Sequence, residues 1–256
     1  MSEKLYEEIL SLIEEKLTST RLLPSGSKRT NVLLNEKYVL RKTNTAEKEF
    51  LMRTKGFFGP NVYTHKNEYI LEEYISGAHP KNYLQIEEEL AIFFSQLHAQ
   101  EYDKKQFTLT FREQEEILPL IKQVKKLFKT LPEQPLVYTH NDVSLTNIMC
   151  EQEKIRLIDW EHVRLAPKEY ELAGIQYKYY FAKKEFSSFI EQYALTVDEE
   201  TLEKLFFIKR VEQLSNLIDR KEKILLGNID PSLRFTNIQP IEQRIKQEKE
   251  KLFSLI

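Results

Sequence analysis

"THNDVSLTNIM", residues 139–149, is the stretch on which the reading of this chain turns. Asp142 follows His140-Asn141, and Asn147 stands five positions beyond that aspartate. Downstream, the polar turn "EQEK" joins two short β-type runs, "NIMC" and "IRLID", and the second of them delivers Asp159. Taken alone, an Asp five positions ahead of an Asn is a capped turn, and a strand-end Asp is a surface acid. In this order, with a histidine ahead and a hairpin between, the three side chains match a specific chemistry. Phosphoryl transfer needs a carboxylate to orient the attacking hydroxyl and take its proton. It also needs an amide oxygen and a second carboxylate to hold Mg2+ over the β- and γ-phosphates.

The chain's 256 residues suffice for one large domain or two modest ones, each with a real core. Hydrophobic residues make up 41%, and there are only 6 Gly and 9 Pro, a globular rather than a disordered balance. A net charge of −2 argues against a nucleic-acid partner gripped through its phosphates. The single cysteine, Cys150, permits no internal disulfide, and no Cys/His cluster has zinc spacing. The start, "MSEKLYEEIL", is acidic and lacks the apolar run of a signal peptide, and nothing approaches a membrane span. A soluble, cytoplasmic protein with no membrane or nucleic-acid partner is expected.

Leu5, Ile9, Leu12 and Ile13 fall at helical spacing and predict an amphipathic opening helix over 3–17. "TRLLPSG", "RTNVLLN" and "KYVLRK" predict short strands. "TNTAEKEFLMRTKG" predicts a helix capped at Thr43, Asn44 or Thr45, with Gly56 near its end. "PNVYTH" and "EYILEEYI" predict two more strands, so the first 75 residues read as a small sheet with one inserted helix. Beyond Pro80 the pattern is mainly helical: a stripe of Ile86, Leu90, Phe93, Phe94 and Leu97 ending near His98, a helix over about 112–130, and helices filling most of 169–255. "PLVYTH" predicts one further strand, and "GNIDPSLRFTNIQP" breaks the last helices.

His140, Asp142 and Asn147 fit the kinase catalytic-loop signature, in which a later strand ends on a metal-binding Asp. The segment 139–173, "THNDVSLTNIMCEQEKIRLIDWEHVRLAPKEYELA", resembles the aminoglycoside phosphotransferase and choline kinase superfamily, whose fold is similar to that of protein kinases. The family pattern is roughly H-x-D-x-x-x-x-N, then I-D-x-E, then D-x-A. All of it occurs here with one change, Glu171 as the last acid, and the resemblance covers about residues 20–225. It implies an α+β, two-lobed protein-kinase-like fold. A small antiparallel-sheet lobe over 1–76 would bind nucleotide, and a mainly helical lobe over 77–256 would carry the catalytic loop and the substrate pocket. ATP and Mg2+ are the implied cofactors.

Carried over residue by residue, the resemblance makes Asp142 the catalytic base, Asn147 and Asp159 magnesium ligands, and His140 a support for the loop backbone. "PSGSKRTN" (24–31) resembles the glycine-containing turn over the phosphates, with Gly26 and Asn31 as matching positions, although no G-x-G-x-x-G or G-x-x-x-x-G-K-[ST] occurs. "YVLRK" resembles the strand that carries the phosphate-gripping cation. Alignment with V-A-I-K gives that role to Arg41 rather than Lys42, the two side chains facing opposite ways. Glu47 and Glu49 both qualify as its partner acid, and Glu47 is preferred for its spacing to Phe50 and Leu51. "LEEYISG" (71–77) resembles the hinge whose backbone, at Glu73 and Ile75, binds adenine.

Trp160-Glu161 stands where a protein kinase has Phe-Gly, and "APKE" begins only seven residues after Asp159, leaving no room for a peptide platform. A small-molecule alcohol is therefore the expected acceptor. His-Asn-Asp and Ile-Asp-Trp-Glu resemble the choline, ethanolamine and thiamine kinase branches more than the aminoglycoside branch, which more often shows His-Gly-Asp. For a quaternary ammonium, the helix "ELAGIQYKYYFAKKEF" offers Tyr177, Tyr179, Tyr180 and Phe181, and Glu161 offers charge. Lys178 stands where choline kinases carry a substrate-facing acid. The competing expectations are an aminoglycoside-type phosphotransferase and a nucleotide-binding pseudokinase; the choice between monomer and homodimer stays open.

Overall fold

A computed structural model of the chain describes residues 2–23, 31–102, 107–109, 114–151, 154–181, 184–227 and 238–256. They form two compact units that interleave along the chain. The first comprises Met1–Ala99, His140–Arg164 and Ser188–Ala194, and the second Gln100–Thr139, Leu165–Ser187 and Leu195–Ile256.

Helix α1 (Glu3–Ser11) opens the chain and stops short of residue 17, the backbone reversing through Glu14 at φ +60°. Five strands follow: β1 (Thr20–Leu23), β2 (Asn31–Leu34), β3 (Tyr38–Lys42), β4 (Val62–Lys66) and β5 (Tyr69–Glu73). They form one antiparallel sheet in the order β1-β2-β3-β5-β4. Its core joins Ile9 and Leu10 of α1 to Val32, Leu34, Tyr38, Leu40 and Leu71. Between β3 and β4 lies α2 (Thr45–Thr54). Asn44 caps it by accepting from the Glu47 amide at 2.9 Å, and the chain leaves it left-handed through Lys55 and Gly56.

The chain continues through α3 (Glu87–His98), β6 (Glu101–Tyr102), α4 (Leu118–Phe128) and β7 (Leu136–Thr139). Next come the hairpin β8 (Ile148–Glu151) and β9 (Lys154–Leu157), β10 (Arg164–Pro167), and helices α5 (Lys168–Phe181), α6 (Ser187–Gln192), α7 (Glu199–Leu225) and α8 (Ile238–Phe253). In the first unit the hairpin lies beside Ala78, which bridges Cys150. Gly77 allows that approach, since a Cβ there would sit 2.5 Å from the Cys150 carbonyl oxygen. In the second unit β10, β7 and β6 make a three-stranded sheet, and α5 packs along α7, which also receives α4 and α8. Asp198 caps α7 through the Thr201 amide at 2.6 Å. Strands β6 and β10 are additions to the sequence reading. The segment 228–237 of the expected helix break lies outside the described residues. No helix among the described residues is long and apolar enough to cross a membrane.

Candidate active site

The loop between β7 and β8 is built around a buried histidine. His140 Nε2 donates to the Ile158 carbonyl at 3.0 Å, and its Nδ1 accepts from the Asp142 amide at 3.2 Å. Both contacts require the neutral ring with its proton on Nε2. Burial agrees with that state, pushing the imidazole down to about 4. Asn141 then turns left-handed, at φ +68°, and its side-chain amide reaches the His162 carbonyl. Glycine and asparagine adopt that conformation at least cost, which gives residue 141 a backbone reason for its identity.

Asn147 ends the loop in a short 3-10 turn and folds back on the aspartate. Its Nδ2 donates to both the carboxylate Oδ2 and the carbonyl of Asp142, each at 3.0 Å. The hairpin pairs Ile148 with Leu157, and the Ile158 amide donates to the Asn147 carbonyl, so Asn147 and Asp159 flank the same end of β8–β9. Asp159 is itself left-handed at φ +63°. Burial raises its carboxyl, and Glu161, Glu47 and Asp142 raise it further, with Arg41 opposing them.

Trp160 fixes this turn from behind. It is fully buried, donates to the Leu157 carbonyl at 2.8 Å, and packs its ring 4.2 Å from Phe50 and 4.5 Å from His140. Glu161 gives its carbonyl to the Asn44 side chain. Its own carboxylate is largely covered and lies 3.6 Å from His162.

On the sheet, alternation buries Arg41 and leaves Lys42 exposed, paired with Glu68. Arg41 donates from Nη2 to Glu47 at 2.7 Å, while Glu49 is exposed. Sequence reasoning missed a second partner. Glu72 of β5 takes Arg41 bidentately, Nε at 2.7 Å and Nη2 at 2.9 Å. An acid inside "YILEE" reads as solvent-facing in a strand, and only the pairing of β3 with β5 turns it onto Arg41.

The remaining predicted positions are dispersed. Gly26 lies outside the described residues. Asn31 opens β2 with a buried side-chain oxygen that meets no hydrogen-bond donor among the described residues. Glu73 commits its amide to the Asn61 carbonyl and its carboxylate to Arg156 at 2.6 and 2.9 Å. Ile75 is buried just beyond β5. Tyr177 belongs to the second unit, where its hydroxyl accepts from Arg244 and the Arg244 guanidinium lies 5.7 Å from its ring. Burial pushes that phenol up to about 12. The neighbouring Tyr180 ring has Arg210 at 5.0 Å and Lys251 at 4.9 Å.

These residues fit magnesium better than a softer metal. Among the described residues no three His, Cys, Asp or Glu side chains converge on one point. The Asp159 carboxylate and the Asn147 amide oxygen form the hard, sparse donor set that suits a cation retaining several waters. The Asn147 nitrogen faces Asp142, which leaves its oxygen for a cation. The acids around Asp159 raise its carboxyl, a charge excess that a divalent ion would relieve.

Residues 69–204 match the family model described as the phosphotransferase enzyme family. Among solved structures, choline kinase LicA from Streptococcus pneumoniae aligns with a TM-score of 0.70 at 14% identity, covering 97% of this chain and 99% of that one. A choline/ethanolamine kinase family protein from Mesorhizobium loti aligns at 0.69 and 13%, covering 97% and 94%. Spectinomycin phosphotransferase APH(9)-Ia, in complex with ADP and spectinomycin, aligns at 0.65 and 16%, covering 98% and 94%. No curated protein matches the sequence. At these identities the likeness is one of fold, and the protein-kinase-like α+β class expected from the sequence is the class found.

Proposed function

The chain belongs to the phosphotransferase enzyme family, and from that premise we propose that it is an ATP- and Mg2+-dependent kinase for a small-molecule alcohol. The observation that carries this reading is the convergence, within one compact unit, of Asp142, Asn147 and Asp159 with the buried Arg41–Glu47 pair. Asp142 is the base: its carboxylate, held by the Asn147 amide, orients the acceptor hydroxyl and takes its proton. The hydroxyl oxygen forms the new bond to the γ-phosphorus as the bridging bond to the β-phosphate breaks and ADP leaves. Asn147 and Asp159 would hold Mg2+, which supplies charge neutralisation on the phosphates. Arg41 faces the same phosphates, with Glu47 as its buried anchor. The backbone at Glu73 and Ile75 would meet the adenine, and Gly26 and Asn31 would cover the phosphates. The ADP bound by the spectinomycin phosphotransferase supports a nucleotide site in this fold.

For the acceptor, the motif resemblance and the likeness to choline kinase favour the choline, ethanolamine and thiamine kinase type. Glu161, next to the reacting groups, is the acid that would meet it. The Tyr177 and Tyr180 rings already carry the chain's own cations, which weighs against their forming an ammonium cage. An aminoglycoside-type phosphotransferase is the alternative acceptor reading. A nucleotide-binding pseudokinase is the second reading, favoured by the two carboxylates that share Arg41.

The test is ATP and Mg2+ with a panel of choline, ethanolamine, thiamine, methylthioribose and aminoglycosides, read as acceptor-dependent ADP release. Release with one acceptor, lost in Asp142→Ala while ATP affinity persists, is the expected result. ATP binding with no release across the panel favours the pseudokinase, and absence of ATP binding overturns the assignment.

A further inference from the structure

A guanidinium has five N–H donors, and Arg41 has committed four of them within its own unit. Nε and one Nη2 hydrogen go to Glu72, the second Nη2 hydrogen goes to Glu47, and one Nη1 hydrogen goes to the Lys42 carbonyl at 3.3 Å. Glu47 is anchored in turn by the Thr43 hydroxyl at 2.8 Å. Among the described residues, one donor is left over. All three charged side chains are buried, Arg41 and Glu72 at 5% exposure and Glu47 at 0%, so water screens little of their mutual interaction. One positive charge faces two negative ones, and the trio carries a net charge of −1.

Such an arrangement differs from a cation held ready by a single acid. A bound triphosphate would meet a guanidinium whose fork is already filled by the two Glu72 oxygens, the geometry a phosphate would otherwise take. We propose that Glu72 is a positioning residue that competes with the nucleotide's phosphates for Arg41, and so sets how tightly the β- and γ-phosphates are gripped. Glu47 orients the cation and Glu72 restrains it. This inference rests on the reading of Arg41 as the phosphate-facing cation. Independent signs of the crowding are that burial raises the Glu72 carboxyl, and that Glu47 and Asp159 raise it further against the pull of Arg41.

The proposal and a purely structural role for Glu72 differ in sign. If Glu72 only braces the sheet, removing its charge loosens the site and weakens every nucleotide alike. If it competes with phosphate, Glu72→Gln tightens ATP and leaves AMP, which lacks the β- and γ-phosphates, unchanged.

The experiment is isothermal titration of the full chain with ATP plus Mg2+ and, separately, with AMP; neither requires an acceptor. Glu72→Gln is expected to raise the ATP-to-AMP affinity ratio about fivefold, the scale of one partly desolvated charge contact. The rise should vanish in the Arg41→Gln/Glu72→Gln double variant. Glu72→Asp, whose carboxylate is one methylene short of Arg41, should fall between and serves where the glutamine variant does not fold. An unchanged or lower ratio in a folded variant overturns the proposal, as does a rise that survives in the double variant. Wild-type chain that binds neither nucleotide overturns the nucleotide site itself, a distinct failure.

Discussion

Asn44 and Glu161 are joined by a single 2.9 Å hydrogen bond from the asparagine amide to the glutamate carbonyl. The Asn44 oxygen meanwhile caps α2. One side chain therefore ties the start of the helix that carries Glu47 to the turn that follows Asp159. Asn44→Asp keeps the cap but loses the donor. It should melt within a degree or two of wild type yet turn over more slowly, whereas Asn44→Ala loses both and costs about 1 kcal/mol of stability as well. Thermal melts beside kcat separate the two variants; equal kcat in wild type and Asn44→Asp would show that the tether is idle.

Asn147 bonds Asp142 through its nitrogen, and its oxygen is the atom proposed to meet the metal, so truncation should strike twice. Asn147→Ala is expected to lower kcat about a hundredfold, the scale found for groups that orient a metal site, and to raise the Mg2+ concentration needed for half-maximal turnover. A magnesium titration of both proteins, with the acceptor found in the panel, checks this. A variant with wild-type magnesium demand would remove Asn147 from the metal set.

His140 makes stability pH-dependent in a defined direction. Its folded value, about 4, lies below the ordinary 6.5, so in that window the unfolded chain holds the extra proton. Stability from this residue is complete above about pH 6.5 and is lost as the pH falls toward 4, by on the order of 3 kcal/mol. The measurement that isolates the imidazole is the difference between wild type and His140→Gln in urea unfolding at pH 7 and pH 4.5. The gap between them should narrow at the lower pH. A gap of constant size would mean the ring is not held neutral.

Gly77 faces the backbone of Cys150, where an added methyl group meets the carbonyl oxygen at 2.5 Å and the carbonyl carbon at 3.0 Å. Backbone cannot step aside as a side-chain tip does. Gly77→Ala should cost about 3 kcal/mol, breaking the Ala78–Cys150 bridge, and a urea midpoint close to wild type would contradict the packing described. Cys150→Ala, which removes no backbone, serves as the mild control.

What could be read from the chain divides along sequence distance. Alternating β-type runs broken by turns gave β1 to β5, and three neighbouring cap candidates included Asn44, because these signals span only a few residues. The loop 140–147 was legible for the same reason. Strand β6 has two residues and β10 reads "RLAP", too short or too proline-bound to show a period. Glu72 was invisible because its partner is 31 residues upstream, and Arg156 because it reaches back 83 residues to Glu73. Long-range ion pairs leave no local pattern; they exist only once strands have found their neighbours.

The position after Asp159 has an optical consequence. Trp160 is the chain's only tryptophan, and it is sealed between Phe50 and His140. All indole emission therefore originates one residue from the acid proposed to hold the metal. In that dry setting the band should be shifted to the blue, and protonation of the adjacent imidazole should quench it. The native chain thus carries an intrinsic label at its proposed reacting centre, and nucleotide or magnesium titrations can be followed by fluorescence with no dye attached.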